Sequence, residues 1–190
     1  MIYDVLNILK KEASDYLDSI ESEGEVVLDN VAKADDPGAG LSDKVVLTLL
    51  SMEEEATLKN KPNHKVVNGT TIHKSAPAYV NLYVMFAANR NNYDKSLQDI
   101  SSIVEFFQDK TFFTQSNTPN HGTELIEFKF MIDLSSLRFE QLSYVWGVLG
   151  GKVMPSAFYK VSVIKVEREK VKQKGPAITT IEETLNHIKS

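Results

Sequence analysis

Residues 78–110 read AYVNLYVMFAANRNNYDKSLQDISSIVEFFQDK, and this stretch determines the fold class. Its first eleven residues are rich in β-branched, aromatic and aliphatic side chains, which is typical of a β-strand. Both faces of this strand are largely apolar. The two faces consist of Val80, Leu82, Val84 and Phe86 and of Tyr79, Asn81, Tyr83 and Met85. A strand that is apolar on both sides is usually central in a sheet covered by helices.

A polar turn and an amphipathic helix follow this strand. Residues 89–92, NRNN, break the apolar pattern, and either Asn91 or Asn92 can cap a helix. Apolar residues then recur at steps of three and four, which places them in one stripe along a helix. This stripe consists of Tyr93, Leu97, Ile100, Ile103, Val104 and Phe107. The predicted unit is therefore a buried strand, a tight turn and a helix that packs back onto the sheet.

The rest of the chain predicts two further helices and several strands. Helical spacing of apolar residues predicts a first helix over residues 1–23, which ends at Gly24. A third helix is predicted to begin at a cap on Ser135 or Ser136 and to stop before the glycines at 150–151. One side of it is expected to carry Phe139, Leu142, Val145, Trp146 and Leu149. The other predicted strands are 26–28, 44–57, 111–113, 124–132 and 157–166.

Together these elements predict an α+β fold, in which a central mixed or mostly antiparallel sheet is packed by two to three helices. An extended β-ribbon or loop is expected at residues 59–77, where the Asn-Gly pair at 68–69 predicts a hairpin turn. The predicted division is one domain over residues 1–166 and a charged tail over residues 167–190. In that tail we expect frayed chain over residues 167–175 and a short helix over residues 178–188.

Composition excludes several classes of protein. The chain has 190 residues, of which 42% are hydrophobic and 25% are charged, as is ordinary for a globular domain. It has no cysteine, which excludes disulfides, thiol catalysis and thiolate metal sites. No segment has the ~20 uninterrupted apolar residues of a membrane span, and charges interrupt any signal-peptide core near the N-terminus. We therefore expect a cytoplasmic protein without a membrane partner.

Charge is unevenly distributed along the chain. Residues 1–60 carry 14 acidic and 5 basic side chains, a net charge of −9, whereas residues 61–190 carry 12 acidic and 16 basic ones, a net charge of +4. A nucleic-acid binder usually concentrates basic residues on one face, so no nucleic-acid partner is expected. The uneven distribution is compatible with complementary surfaces that meet in an assembly.

The residue types of catalysis and metal binding lack the spacings that those functions need. The four histidines, at positions 64, 73, 121 and 187, have no partner at a helical spacing of three or four. Residues 147–152, GVLGGK, resemble a phosphate loop, but Trp146 stands in place of its first glycine and Val153 in place of its serine or threonine. No serine lies in a Gly-x-Ser-x-Gly pattern. We therefore expect no enzymatic activity, no metal and no cofactor.

Two segments are candidates for protein contacts. The first is the turn at residues 152–156, KVMPS, where a flexible methionine precedes a rigid proline. The second is the charged end of the 44–57 strand, since acidic side chains are typical of a ribbon or of a protected sheet edge. Trp146 itself is expected in the core. The predicted interaction residues are Lys152, Met154, Pro155, Ser156, Glu53, Glu54 and Glu55.

Several separated blocks resemble one protein family. These blocks are NLYVMFAAN at 81–89 with Tyr93 and Leu97, residues 103–110 ending in FFQDK, FEQL at 139–142, WG at 146–147, LG at 149–150, Lys152 with MPS at 154–156, YKV at 159–161, IYDVL at 2–6 and NV at 30–31. They are similar to the N-terminal domain of the tail-terminator (cap) proteins of phage-tail-like contractile injection systems. The resemblance covers nearly all of residues 1–166 and rests on packing and turn residues, not on a chemical motif.

The resemblance implies a mechanical function. Members of this family form a ring, expected to be hexameric, that closes the membrane-distal end of the inner tube and the contractile sheath. The implied partners are further copies of the chain, the tail-tube protein and the sheath protein. A ring requires two different faces of each subunit to meet, and the acidic and basic portions of the chain can supply them. Contact with the sheath is expected through strand addition, at the final strand or at residues 52–58.

Two alternatives stay open at this point. One is a small α/β enzyme or ligand-binding domain with a site near residues 89–92, at the end of the central strand. The other is a different baseplate or tube component of the same machine. The sequence also leaves open whether the apparatus is an extracellular particle or a bacterial type VI-like secretion system. We expect cytoplasmic assembly in either case, followed by release or membrane attachment as part of the particle.

Overall fold

The computed structural model describes residues 1–55, 64–67, 70–74, 78–119, 122–123, 125, 128–166 and 171–176. In this part of the chain there are three α-helices, namely α1 Ile2–Ser19, α2 Tyr93–Asp109 and α3 Phe139–Val148. The strands are β1 Glu25–Leu28, β2 Lys44–Glu54, β3 His64–Val67, β4 Thr70–Lys74, β5 Ala78–Asn89, β6 Phe112–Thr114, β7 Lys129–Leu134, β8 Ser156–Val166 and β9 Val171–Pro176. Within the described ranges, no helix is both long and apolar enough to cross a membrane.

Six strands form the main sheet, in the order β1-β2-β5-β8-β7-β6. β1 runs parallel to β2, and the other neighbouring strands are antiparallel. β5, the strand predicted to be central, pairs with β2 from Val80 to Asn89 and with β8 from Ala78 to Ala87. The predicted α+β class and the mixed sheet are therefore confirmed.

β5 supplies side chains to two apolar layers, one on each face of the sheet. On the first face, Phe86 packs with residues of α1 and α2, including Leu9 and Phe107. On the second face, Met85 packs with Trp146 of α3. Because successive side chains of a strand point to opposite faces, one strand stabilises both layers. The two-sided burial predicted for this strand is confirmed.

The helix ends differ in how well the sequence predicted them. Asn92 caps α2 as expected, because its Oδ1 accepts a 2.9 Å hydrogen bond from the amide of Asp94. The predicted cap of α3 at Ser135 or Ser136 is wrong, since α3 begins at Phe139. The physical reason lies in the sheet, where the Ser135 amide donates a 2.8 Å hydrogen bond to the carbonyl of Phe158 in β8. Ser135 therefore extends the pairing of β7 and is not free to start a helix.

The end of α3 follows the sequence more closely. The helix stops at Val148, and Gly150 and Gly151 then adopt φ values of +104° and +80°. These angles favour glycine, so the two residues terminate the helix as predicted. β7 begins at Lys129 and not at residue 124 as expected. α1 is also shorter than predicted, since it ends at Ser19 and not at residue 23.

A second sheet has three strands, in the order β3-β4-β9. β3 and β4 form the predicted hairpin, with Val67 opposite Thr70, and the Asn-Gly pair at 68–69 lies outside the described residues. β4 precedes β5, β9 follows β8, and both the β4–β9 and β5–β8 pairs are antiparallel. The expectation of frayed chain is wrong for Val171–Pro176, because β4 offers this segment a partner backbone. The helix predicted at 178–188 lies outside the described residues.

Candidate assembly surface

The turn at residues 152–156 places its side chains in different environments. Lys152 is half-exposed, and its Nζ lies 2.7 Å from Oδ1 of Asp35 in an exposed ion pair. Met154, in contrast, is buried, with 7% of its surface accessible, and packs in the same apolar layer as Trp146. A flexible methionine was the reason to expect a docking site here, but the structure places this side chain in the core. Lys152 keeps its predicted role as an exposed interaction candidate.

The second half of this turn is held by the main sheet. The carbonyl oxygen of Pro155 accepts a 3.0 Å hydrogen bond from the amide of Ala88. Ser156 begins β8 and pairs with Ala87 of β5. Both residues are partly buried. Their backbones therefore fix the path from α3 into β8, and their role in an interface stays a prediction.

The predicted acidic segment lies at the end of β2 and contacts β5. Tyr83 Oη donates a 3.1 Å hydrogen bond to Glu53 Oε2, and this bond raises the pKa of the Tyr83 hydroxyl. The side-chain amide of Asn81 donates a 2.8 Å hydrogen bond to Glu55 Oε2. Glu54 is exposed and pairs in register with Val80. Side chains of β5 therefore hold the carboxylates of Glu53 and Glu55 at the end of β2.

β2 is paired on both sides over only part of its length. β1 pairs with Lys44–Leu47, whereas β5 pairs with β2 as far as Glu54. β1 ends at Leu28, and the segment that follows it makes one more contact with β2, a 3.0 Å hydrogen bond from the amide of Val31 to Thr48 Oγ1. On the β1 side, none of the described strands pairs with Leu49–Glu53. We call this stretch the open edge of β2.

An apolar cavity of about 640 Å³ lies beside the open edge. It is bounded by the end of β1, by β2 and by α3. Its walls include Leu28, Leu49, Leu50, Tyr144, Val148 and Leu149. A cavity of this size falls within the range of about 300–1,000 Å³ typical of ligand sites, but an open apolar groove next to a strand edge also suits a peptide segment. We call it the β2 groove.

The outer face of α3 exposes large apolar side chains. The exposed fractions are 81% for Phe139, 76% for Tyr144 and 86% for Val148. Trp146 is 3% exposed, so its predicted core position is confirmed. Phe139 was expected on the same side of the helix as Trp146, but it is the first residue of the helix and is exposed whereas Trp146 is buried. These three residues, the α3 patch, border the β2 groove through Tyr144 and Val148. Tyr144 and Val148 are four residues apart and therefore share one face of the helix. Exposed apolar side chains of this kind mark protein contacts.

The alternative site at residues 89–92 is occupied by structural contacts. The Arg90 side chain is buried, and its Nη1 donates hydrogen bonds to the carbonyl oxygens of Glu23 and Asp43 at 3.0 and 2.7 Å. Asn89 Nδ2 donates a 2.9 Å hydrogen bond to the Leu41 carbonyl. The cavity next to Arg90 has a volume of about 170 Å³, below the usual range for ligand sites. These polar side chains hold loops together and do not converge on a binding pocket.

The histidine positions add no metal site within the described residues. His64 and His73 are opposite each other in the register of β3 and β4, whereas His121 and His187 lie outside the described part of the chain. Among the residues that the structure describes, no group of three or more His, Cys, Asp or Glu is placed to hold a metal ion.

Comparison with known proteins yields one family and two solved structures. The family model described as the Pvc16 N-terminal domain matches residues 4–180. No curated protein sequence matches the chain significantly. One similar structure is the PVC sheath/tube terminator of an extracellular contractile injection system, in its extended state. It has a TM-score of 0.66 and 14% identity, and the match covers 100% of this chain and 65% of that one.

The second similar structure is the anti-feeding prophage cap, a tube-terminating cap. Its TM-score is 0.69 and its identity is 12%, and the match covers 97% of this chain and 62% of that one. At these identities the likeness establishes a shared fold. The present chain spans less than two thirds of the length of both solved chains.

Proposed function

The chain belongs to the Pvc16 N-terminal domain family, and we propose that it acts as a structural cap, or tail terminator, of a phage-tail-like contractile injection apparatus. In this role it closes the distal end of the inner tube and of the contractile sheath. The observation that carries the proposal is a shared fold over 100% and 97% of this chain with a sheath/tube terminator and a tube-terminating cap.

The surface of the protein supports a role in assembly. The open edge of β2 and the α3 patch lie next to each other, one offering backbone groups and the other apolar side chains. Both features favour contact with other proteins, since strand edges pair with incoming strands and apolar patches become buried in interfaces. We therefore propose that this surface contacts the tube protein, the sheath protein or a neighbouring copy of the chain.

A structural role fits the polar residues better than a catalytic one. The alternative of an enzyme or ligand-binding domain placed its site at residues 89–92. In the structure, Asn89 and Arg90 bond to loop carbonyls, and Asn92 caps α2. Side chains engaged in this way are not available to bind a substrate. Another baseplate or tube component of the same machine stays the alternative that an experiment must separate from a cap.

We further propose a ring of six copies that assembles in the cytoplasm and becomes part of the particle. A cyclic ring needs a heterologous interface, in which two different surfaces of each subunit meet. The net charge of −9 on residues 1–60 and of +4 on residues 61–190 provides opposite signs for two such surfaces. Residues 1–166 form the ring-forming domain in this proposal, with residues 167–190 as an extension of it.

Solution mass and particle location test the proposal. Light scattering gives the mass of the protein alone and after mixing with its tube and sheath proteins. We expect a ring, either free or formed on tube ends, and labelled protein at the distal end of particles in electron micrographs. A protein that stays monomeric and binds neither the tube protein nor the sheath protein would contradict the proposed function. Label at the opposite end would assign the protein to a baseplate or tube-initiating component instead.

A further inference from the structure

The second sheet also ends in a strand with an unpaired side. β9 pairs with β4, and none of the other described strands pairs with it. The open edge of β2 contains the five residues Leu49–Glu53, and β9 contains the six residues Val171–Pro176. Within the described residues there are therefore two open strand edges of similar length, on two different sheets.

The two edges carry charges of opposite sign. The open edge of β2 ends at Glu53, and Glu54 and Glu55 follow directly. β9 contains Lys172 and Lys174 and no acidic residue. Opposite charges on two facing strands stabilise the pair and fix its register, whereas like charges disfavour it.

We propose that β9 of one copy pairs with the open edge of β2 in the next copy. This inference rests on the proposed cap function, because it describes how neighbouring subunits of a ring join. The incoming β9 occupies the position beyond β1 along β2, where the β2 groove lies. Since β9 and the open edge of β2 are different surfaces, the contact is heterologous and can close a ring.

One antiparallel register satisfies the charges and the groove together. It places Lys172 opposite Glu53 and Gln173 opposite Met52. The same register brings Pro176 next to Leu49, at the apolar end of the groove. A proline, which lacks an N–H group, is tolerated at the end of an edge strand. In this arrangement Tyr144 and Val148, which border the groove, contact the incoming strand, whereas Phe139 stays available to the tube or the sheath.

Disulfide trapping tests this contact cleanly, because the chain has no cysteine of its own. Met52 is 53% exposed, so Met52→Cys in one preparation and Gln173→Cys in another supply one thiol each. We expect oxidised dimers in the mixture but not in either preparation alone. A chain that carries both substitutions should give a ladder up to the size of the ring. Tyr3→Cys, at a site on α1 that is 68% exposed, replaces Met52→Cys as the matched control and should give no ladder.

Charge reversal provides a second readout on the same contact. We expect Glu53→Lys to reduce the yield of trapped dimers by more than about tenfold, because it places like charges opposite each other. Adding Lys172→Glu to the Gln173→Cys partner should restore the yield. Rescue of this kind would not follow if Glu53→Lys only disturbed the folding of β2.

The outcomes separate this inference from the proposed function. A ring detected by light scattering without disulfide trapping between Met52→Cys and Gln173→Cys overturns the β2–β9 contact and leaves the cap function standing. Dimers of Met52→Cys alone indicate an isologous contact and also overturn it. Trapping that occurs with the protein alone but disappears when the sheath protein is added would show that the sheath protein displaces β9. The open edge of β2 would then be assigned to the contact with the sheath protein. A monomer in all mixtures overturns both proposals.

Discussion

Arg90 Nε lies 3.2 Å from Asp99 Oδ2, and these side chains are only 2% and 3% exposed. Ser22 Oγ donates a 2.8 Å hydrogen bond to the other carboxylate oxygen of Asp99. Arg90 also bonds to the carbonyl oxygens of Glu23 and Asp43. One buried ion pair therefore joins the end of β5 to α2 and to the loops that follow α1 and precede β2.

Breaking this ion pair from one side should destabilise the fold. We expect Arg90→Met or Asp99→Leu to lower the free energy of unfolding by about 3–5 kcal/mol, because each leaves an uncompensated buried charge. Urea denaturation followed by circular dichroism measures the effect. Lys95→Met is the matched control, since Lys95 pairs with Glu23 at the surface, and it should change stability by less than ~1 kcal/mol. The double variant Arg90→Met/Asp99→Leu should lose less than the sum of the single losses, and strict additivity would argue against the pair.

Gly24→Ala should also lower the stability of the fold, because it affects Asp99. A Cβ atom at Gly24 would lie 2.8 Å from Asp99 Oδ1, so the carboxylate must move, which disturbs its ion pair with Arg90. We expect a loss of about 1–3 kcal/mol in unfolding free energy, as for other overpacked sites. Gly147→Ala in α3 is the control, since nothing lies within 4 Å of its added Cβ. That substitution should stabilise the helix by roughly 0.5–1 kcal/mol. Equal melting temperatures for the two variants would contradict the expectation.

Substitution of the α3 patch should separate assembly from folding. Tyr144→Ser and Val148→Asp remove exposed apolar surface, so we expect them to change stability by no more than ~0.5 kcal/mol. Binding to the tube or sheath protein should nevertheless be lost, as measured by co-sedimentation. Tyr3→Ser, on an exposed site of α1, should retain binding. Full binding by both α3 variants would show that this patch is not the contact surface.

Tyr159 should make the fold sensitive to alkaline pH. Burial raises the pKa of its hydroxyl well above the ordinary value of about 10. The folded state therefore holds the proton while the unfolded state releases it, so stability is constant below pH ~10 and falls as the pH rises above that value. Denaturation midpoints measured between pH 8 and 11 test this.

Tyr159→Phe is the matched variant for the pH experiment. Among the described residues, Tyr159 Oη has no hydrogen-bond partner, so removal of the hydroxyl should leave stability at neutral pH unchanged or raise it by up to ~1 kcal/mol. Between pH 10 and 11, the variant should also lose less stability than the unsubstituted protein. A clear loss of stability at neutral pH would indicate that the hydroxyl is satisfied in solution by an ordered water.

The parts of the fold that follow from neighbouring residues could be predicted from the sequence. The two-sided apolar pattern of β5 and the stripe of α2 are local, and Asn92 caps α2 through the amide of Asp94 only two positions away. The start of α3 could not be predicted in this way. Ser135 is a good capping residue in isolation, but its amide bonds to Phe158, a residue 23 positions further along the chain. At Ser135, pairing with the distant strand β8 therefore overrides the local preference of serine for a helix cap.

The assembly surface was only partly predictable for the same reason. The acidic residues at the end of β2 were identified from their charge, but the open edge exists because β1 ends at Leu28 while β2 continues to Glu54. Met154 was expected at the surface from its position in a turn, but it is buried in the same apolar layer as Trp146. β9 has no apolar alternation of its own, so its strand conformation depends on β4.

The long pairing of β5 with β8, which one irregularity between Val80 and Leu82 interrupts, has a mechanical consequence. β9 follows β8 in the chain, so a force applied to β9 along the strand direction is transmitted into β8. Inter-strand hydrogen bonds of an antiparallel pair are perpendicular to the strands. Such a force therefore loads the bonds between Ala78–Val166 and Ala87–Ser156 together, in shear, and does not unzip them one after another. The paired strands are therefore suited to bear tension along β8.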